Sequence, residues 1–303
     1  MLHGKCFTRS ITLIALFLAG LFLFQPSPTL AAQDTILIGL IPEMNIFKQK
    51  KRFQQLGDYL SQKTGVKVEF TILSRYGNII ESFTTEKMDG AFFGSFTGAL
   101  AIQKLGVIPL ARPVNLDGSS TYHGFLIVRK DSGIKTVEDM RGKRMAFVEK
   151  ATTAGYIFPR AYFKEHGVSV DEGFFSETFF TGSHDSAIMA VLDHKADVGA
   201  AKHSIYNRLQ RENPRIDQEL LILADSPKVP SNGLCVRPDL DPDLREKFKQ
   251  ALLGLETDPA GKSVLDDFGA LRFIETTAGD YQPVFEMAEK AGIDIKKYDY
   301  LNE

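Results

Sequence analysis

KRMAFV (Lys143–Val148) and YIFPRAYFKEHG (Tyr156–Gly167) stand on either side of EKATTAG (Glu149–Gly155), and this join decides the fold. The first segment is short and apolar, as a buried strand is. The last carries apolar residues at helical spacing and ends on a glycine, the pattern of a helix with a stop. A strand feeding a helix through a few small residues is half of a βαβ unit. A plain helix cap needs one hydroxyl. Two threonines followed by Ala154 and Gly155 therefore ask for a further reason.

The same alternation runs outward in both directions. DTILIGLIPE reads as a strand ending at Pro42, and IFKQKKRFQQLGDYLSQKTG as a helix with Phe53, Leu56 and Leu60 on one face and Gly65 at its end. VKVEFTIL is a strand, YGNIIESFTTEK a short helix, and DGAFFG (Asp89–Gly94) a strand entering a small-residue turn. Beyond YHGFLIVRKDSG (Tyr122–Gly133), the longest β-branched and aromatic run before the opening stretch, a second set follows. It comprises KRMAFV, the threonine-rich helix, FFSETFFT, SHDSAIMAVLDHK, ADVGAA and HSIYNRLQREN. LLILADS and SPKVPSNGLCVRPDLDP read as returning strands, and the C-terminal end is helical. The expected fold class is α/β: two doubly wound α/β lobes joined by two hinge crossings. One crossing is expected near His123–Leu126 and the other near Pro230–Cys235. Residues 33–122 plus 236–303 then form lobe 1 and residues 123–235 form lobe 2. Such a molecule holds its ligand in the cleft and closes by a hinge.

The N-terminus reads as an export signal. Lys5 and Arg9 precede an uncharged, apolar-rich run, Ile11–Phe24, and the small residues Thr29, Ala31 and Ala32 follow. Residues 1–32 are expected to be a signal peptide, cleaved near Ala31 or Ala32, which makes the protein periplasmic. The apolar run is shorter than the roughly 20 residues a bilayer crossing prefers. Loss of the leader moves the formal charge from −2 to −4 and leaves Cys235 without a disulfide partner in its own chain. This balance excludes the basic surplus of a nucleic-acid binder. HExxH, CxxC, GxSxG and the Walker pattern are all missing, so no catalytic residue, metal site or cofactor is expected.

The candidate site gathers at helix starts. If Val148 ends a strand and Tyr156 is already helical, the turn lies where unbonded N–H groups and the helix dipole favour an anion. Thr152 and Thr153 would add hydroxyl donors, while Ala154 and Gly155 would let a ligand approach the backbone. A simple cap with small residues for packing explains the same letters. In DGAFFGSFTGAL, Gly94 and Ser95 end a strand and Thr97 and Gly98 open a helix, a second such turn, from the other lobe. Tyr76 and Tyr122 could stack on or bond to a ligand from the cleft wall, or be core aromatics. His184 opens a helix in FTGSHDSAIM and could donate to an anion, unless Ser183 or Asp185 merely caps that helix.

Taken together, VEFTILSRYGNIIESF, DGAFFG, STYHGFLIVRKDSGI, KATTAGYIFP, GSHDSAIMAVLDHKADVGA and SPKVPSNGLCVRPDLDP carry a resemblance. The sequence resembles the phosphate/phosphite/phosphonate-binding proteins of ABC importers, the PhnD type, over essentially all of the chain after the leader. The resemblance implies a type II periplasmic-binding fold with a tetrahedral oxyanion on the Ser/Thr-rich turn. It implies cleft tyrosines at Tyr76 and Tyr122, a ligand-side histidine at His184, and a turn in which Thr152, Thr153 and Gly155 match Ser-Thr-Ser-Gly. Ala154 departs from that turn and removes one hydroxyl. Lys202 departs where aminophosphonate binders carry polar or acidic groups, and a cation there repels an ammonium and welcomes a second negative group. The expected partners are a small oxyanion and an inner-membrane ABC permease, with the protein a monomer. A sensory receptor of the same fold for a different small anion is the alternative. An enzyme is disfavoured because no nucleophile–base pair is visible.

Overall fold

The computed structural model describes residues 34–43 and 46–302. The expected leader and its cleavage point lie outside the described residues. Strand β1 (Thr35–Leu40) is followed by helix α1 (Ile46–Thr64), β2 (Lys67–Ile72), α2 (Asn78–Thr85), β3 (Gly90–Phe93), α3 (Ser95–Leu105) and β4 (Ile108–Asn115). The chain crosses through β5 (Thr121–Tyr122) into β6 (Gly124–Arg129), β7 (Arg144–Phe147), α4 (Phe158–Glu165) and β8 (Glu177–Phe180). Next come α5 (His184–Leu192), β9 (Val198–Lys202), α6 (His203–Glu212), α7 (Pro214–Glu219) and β10 (Leu220–Asp225). It returns through β11 (Val229–Pro230) to β12 (Gly233–Val236), α8 (Pro242–Leu253), α9 (Gly261–Phe268), β13 (Ala270–Glu275) and α10 (Gln282–Lys290).

Two mixed sheets organise these elements. The first is ordered β13-β4-β12-β3-β1-β2 and the second β10-β6-β9-β7-β8. Within each, the strands of the βαβ units run parallel, β1 with β2 and β3, and β7 with β8 and β9. The strands that enter or leave a crossing run antiparallel, β12 against β3 and β4, and β6 against β9 and β10. Helix α1 buries Phe53, Leu56 and Leu60 as their spacing requires. The Phe53 ring meets Phe70, Phe92 and Phe268 edge-on, at 5.2, 5.1 and 5.2 Å between centroids. Gly65 and Gly167 stop their helices with φ of 79° and 74°, a conformation glycine adopts without penalty.

The crossings pair with each other: Tyr122 sits opposite Val229 and Thr121 opposite Pro230. Ser231 N–H donates to the Ser120 carbonyl at 3.0 Å and Ser226 N–H to that of Gly124 at 2.9 Å, which ties the two passages together. From the sequence, Gly233 to Cys235 are expected in the second lobe. The strand holding them is instead inserted between β3 and β4 of the first sheet, because its apolar side chains complete that core. The C-terminal tail, expected wholly in lobe 1, touches both halves. Tyr298 packs edge-on against Phe96 at 5.6 Å and donates its hydroxyl to the Lys150 carbonyl at 3.2 Å.

Candidate functional site

The first helix start is set by Gly94, whose extended backbone ends β3 and caps α3. Gly98 N–H is the first to bond back, to the Gly94 carbonyl at 2.7 Å. The N–H groups of Ser95, Phe96 and Thr97 therefore have no acceptor within the helix. The second start departs from a plain α-helix. Thr153–Ile157 forms a π-turn ahead of α4, closed by Ile157 N–H on the Thr152 carbonyl at 3.1 Å. Its cause lies in two residues. The Gly155 carbonyl accepts from Val148 N–H at 3.1 Å, and Pro159 has no N–H that could claim it. The wide turn leaves the N–H groups of Thr153 through Tyr156 ahead of the first intrahelical bond.

These two starts converge on a narrow cavity of about 20 Å³ at the carboxyl ends of β1, β3, β7 and β9. Of the residues expected from the sequence, Tyr76, Ser95, Tyr122, Thr152, Thr153, His184 and Lys202 line it. Ala154 and Gly155 do not, and packing accounts for both. A Cβ at Gly155 would stand 2.4 Å from the Val148 side chain, so glycine is required there by the strand beneath. Ala154 lies against Gly124 of the crossing strand, where a Cβ on Gly124 would come within 3.0 Å of it.

The hydroxyl donors are fewer than the sequence suggests. Thr152 Oγ1 donates to the Glu149 carbonyl at 2.6 Å, and Ser95 Oγ donates to the Pro230 carbonyl at 2.6 Å. Both protons are spent on holding the turn and the crossing. Thr153 Oγ1 is different: it is buried and has no hydrogen-bond partner among the described residues. A buried hydroxyl left unpaired is unfavourable unless something arrives to pair with it.

Electrostatics sharpen the site. Lys202 N–H donates to His184 Nδ1 at 3.2 Å, which leaves Nε2 to carry the ring proton. Burial, and after it the Lys202 charge, push the His184 pKa down to about 3, so the ring is a neutral donor. Burial above all, with Glu43 and Glu149, holds the Tyr76 phenol well above its ordinary value and fully protonated. Glu149 Oε2 accepts the Tyr76 N–H at 3.1 Å, a carboxylate at the start of α2 reaching across from the other lobe. Lys202 is not free. Its Nζ lies 3.1 Å from Glu43 Oε1 and 4.4 Å from the centre of the Tyr122 ring. Burial raises the Glu43 pKa, but Lys202, Arg52 and a hydrogen bond from Asn232 together outweigh it and leave the carboxyl below its ordinary value.

Residues 38–281 match the family described as the ABC transporter, phosphonate, periplasmic substrate-binding protein. The chain belongs to that family. Its members are the periplasmic, small-molecule-binding components of importers and work with a permease. The probable ABC transporter phosphite binding protein PhnD1 of Prochlorococcus marinus is 25% identical over 282 residues, 89% of this chain and 94% of that one. The phosphate-import protein PhnD of Mycolicibacterium smegmatis is 26% identical over 258 residues, 82% of this chain and 80% of that one. The solved structure of P. marinus PhnD1 with methylphosphonate has a TM-score of 0.73 at 23% identity, covering 86% of this chain and 98% of that one. The fold is that of the type II periplasmic binding proteins.

Glu43 and Asn232, which the sequence does not single out, also line the cavity, as does Thr97, expected only to open its helix. Glu43 follows the first strand, and the carboxyl ends of strands are where α/β sheets bind ligands, so its position carried a signal. Asn232 sits on the return crossing and gave none. Among the described residues no group of three His, Cys, Asp or Glu side chains could hold a metal ion, and no helix is long and apolar enough to cross a membrane.

Proposed function

We infer that the protein captures a tetrahedral phosphorus oxyanion (phosphonate, phosphite or phosphate) between its lobes and delivers it to an ABC permease in the inner membrane. It acts as an exported monomer, with its leader removed near Ala31 or Ala32, and performs no chemistry on the ligand. The observation that carries this is the convergence of donors. Two helix starts from opposite lobes, the unpaired Thr153 hydroxyl and a neutral His184 all face one cavity. The one carboxylate in that lining, Glu43, is already matched by Lys202. Unpaired N–H groups and a helix dipole are an anion site. Hinge closure buries the ion and completes the donor set from both sides. The names of the relatives, which include a phosphite binder, a phosphate importer and a complex with methylphosphonate, support the same head group.

A thermal-shift panel of phosphate, phosphite, methylphosphonate, sulfate and nitrate tests the reading. Ligand at 100 times its dissociation constant adds about 2.7 kcal/mol of stability. A shift with a phosphorus oxyanion, and unchanged ligand recovered afterwards, is expected. A shift from sulfate or nitrate alone would overturn the head-group assignment.

A further inference from the structure

The small cavity shares a wall with a larger one. Ile41, Glu43, Tyr122, Lys202 and Asn232 also wall a second cavity of about 420 Å³. Two helix faces close its far side. Helix α1 contributes Gln49, Arg52 and Phe53, and α6 contributes Ser204, Arg208 and Arg211, in each case at helical spacing. Four cations, Arg52, Lys202, Arg208 and Arg211, face it against two carboxylates, Glu43 and Asp117.

The carboxylates are already engaged. Glu43 is held by Lys202, with Arg52 adding to its field, and Asp117 accepts from the Ser119 N–H and hydroxyl at 2.9 and 2.6 Å. Arg52 gives its Nε to the Phe268 carbonyl at 2.7 Å and stacks on the Phe268 ring. Arg208 and Arg211 have no ion-pair partner among the described residues. Arg208 Nε is buried with nothing to bond to. A guanidinium donor in that position is stabilised by an anion and by little else.

Given the head-group reading above, we propose that this second cavity takes a second anionic group on the same ligand. The ligand class is a phosphonocarboxylate: a phosphorus oxyanion in the small cavity, joined by a short linker past the Glu43–Lys202 wall to a carboxylate at Arg208 and Arg211. An ammonium in place of the carboxylate faces uncompensated positive charge there. A bare methyl group leaves Arg208 unmet. The bidentate geometry of guanidinium with carboxylate makes this pairing selective as well as attractive.

Titration calorimetry on the protein purified after export decides the matter, with methylphosphonate, phosphonoacetate, 3-phosphonopropionate and 2-aminoethylphosphonate as probes. At least one phosphonocarboxylate is expected to bind about tenfold or more tighter than methylphosphonate, and 2-aminoethylphosphonate weaker than either. The double variant Arg208→Gln, Arg211→Gln is expected to erase that advantage and leave methylphosphonate affinity unchanged, which also shows that the variant is folded. Equal or weaker binding of both phosphonocarboxylates, or an advantage that survives in the double variant, overturns the subsite while leaving the head group in place. No binding by any of the four overturns the head-group reading and the subsite with it.

Discussion

The backbone N–H of Lys202 points at Nδ1 of His184 from 3.2 Å, and this one bond fixes which ring nitrogen can donate to the cavity. With Nδ1 accepting, the neutral ring presents Nε2–H. His184→Asn keeps an acceptor for Lys202 but has nothing at the Nε2 position. His184→Gln places an amide nitrogen near it. Asn is expected to weaken oxyanion binding by about tenfold or more, the value of one hydrogen bond to a charged group, whereas Gln retains most of the affinity. Equal losses in the two variants would mean that the ring only packs against Tyr76.

Adjacent threonines are expected to behave oppositely. Thr153 Oγ1 is buried and unpaired, whereas Thr152 Oγ1 donates to the Glu149 carbonyl at 2.6 Å. Thr153→Val removes an unsatisfied hydroxyl at nearly constant volume. The ligand-free protein should keep or raise its thermal midpoint while oxyanion affinity falls about tenfold. Thr152→Val should lower the ligand-free midpoint by roughly 2–4 °C, as expected for the loss of about 1 kcal/mol. Differential scanning calorimetry with and without phosphite or methylphosphonate separates them. A stability loss at Thr153 would show that its hydroxyl already has a structural role.

That contrast marks how far the sequence could be read. Strand, turn and helix around Glu149–Gly155 are local patterns, and so are the apolar face of α1 and the glycine stops, and all of these were legible. Seven of the nine expected site residues line one cavity because helix starts at strand ends have only one place to point. The use of each donor was not legible. Ser95 spends its proton on Pro230 and Lys202 finds Glu43, partners 135 and 159 residues away that no periodicity records. Arg52 turns inward to the second cavity while Lys48, Lys50 and Lys51 beside it stay exposed, a difference that the basic letters alone do not record. Gly155 serves packing, not ligand approach, for a related reason. Its constraint comes from Val148, which faces it only once the turn has folded.

Restoring the missing hydroxyl of the turn is expected to fail as a gain of function. Ala154 packs on Gly124 and does not line the cavity, so Ala154→Ser should leave oxyanion affinity within about twofold and lower stability, since crowding a packed contact costs about 1–3 kcal/mol. Gly155→Ala should be worse, with a Cβ forced to within 2.4 Å of Val148. Chemical denaturation read beside binding isotherms checks both. Tighter binding by Ala154→Ser would place its side chain in the cavity after all.

Acid should open the cleft in two stages, each traceable to one group. His184 is held neutral, with a pKa of about 3 in place of the ordinary 6.5, so a hydrated ring takes up a proton that the buried ring refuses. The closed, folded form is therefore disfavoured progressively as pH falls from 6.5 toward 3, and the contribution is whole above 6.5. Glu43 acts lower. Its carboxyl is depressed below the ordinary 4.5 in the closed form, so the link to Lys202 is intact above 4.5 and is lost as pH falls through the depressed value. Small-angle scattering of the ligand-free protein against pH reads the radius of gyration directly. His184→Gln should remove the upper stage and leave the lower. Glu43→Gln should remove the lower stage and leave the protein more open even at pH 7, because the pair that spans the lobes is gone. A single transition, unchanged by either substitution, would mean that neither group senses closure and that acid acts on the fold as a whole.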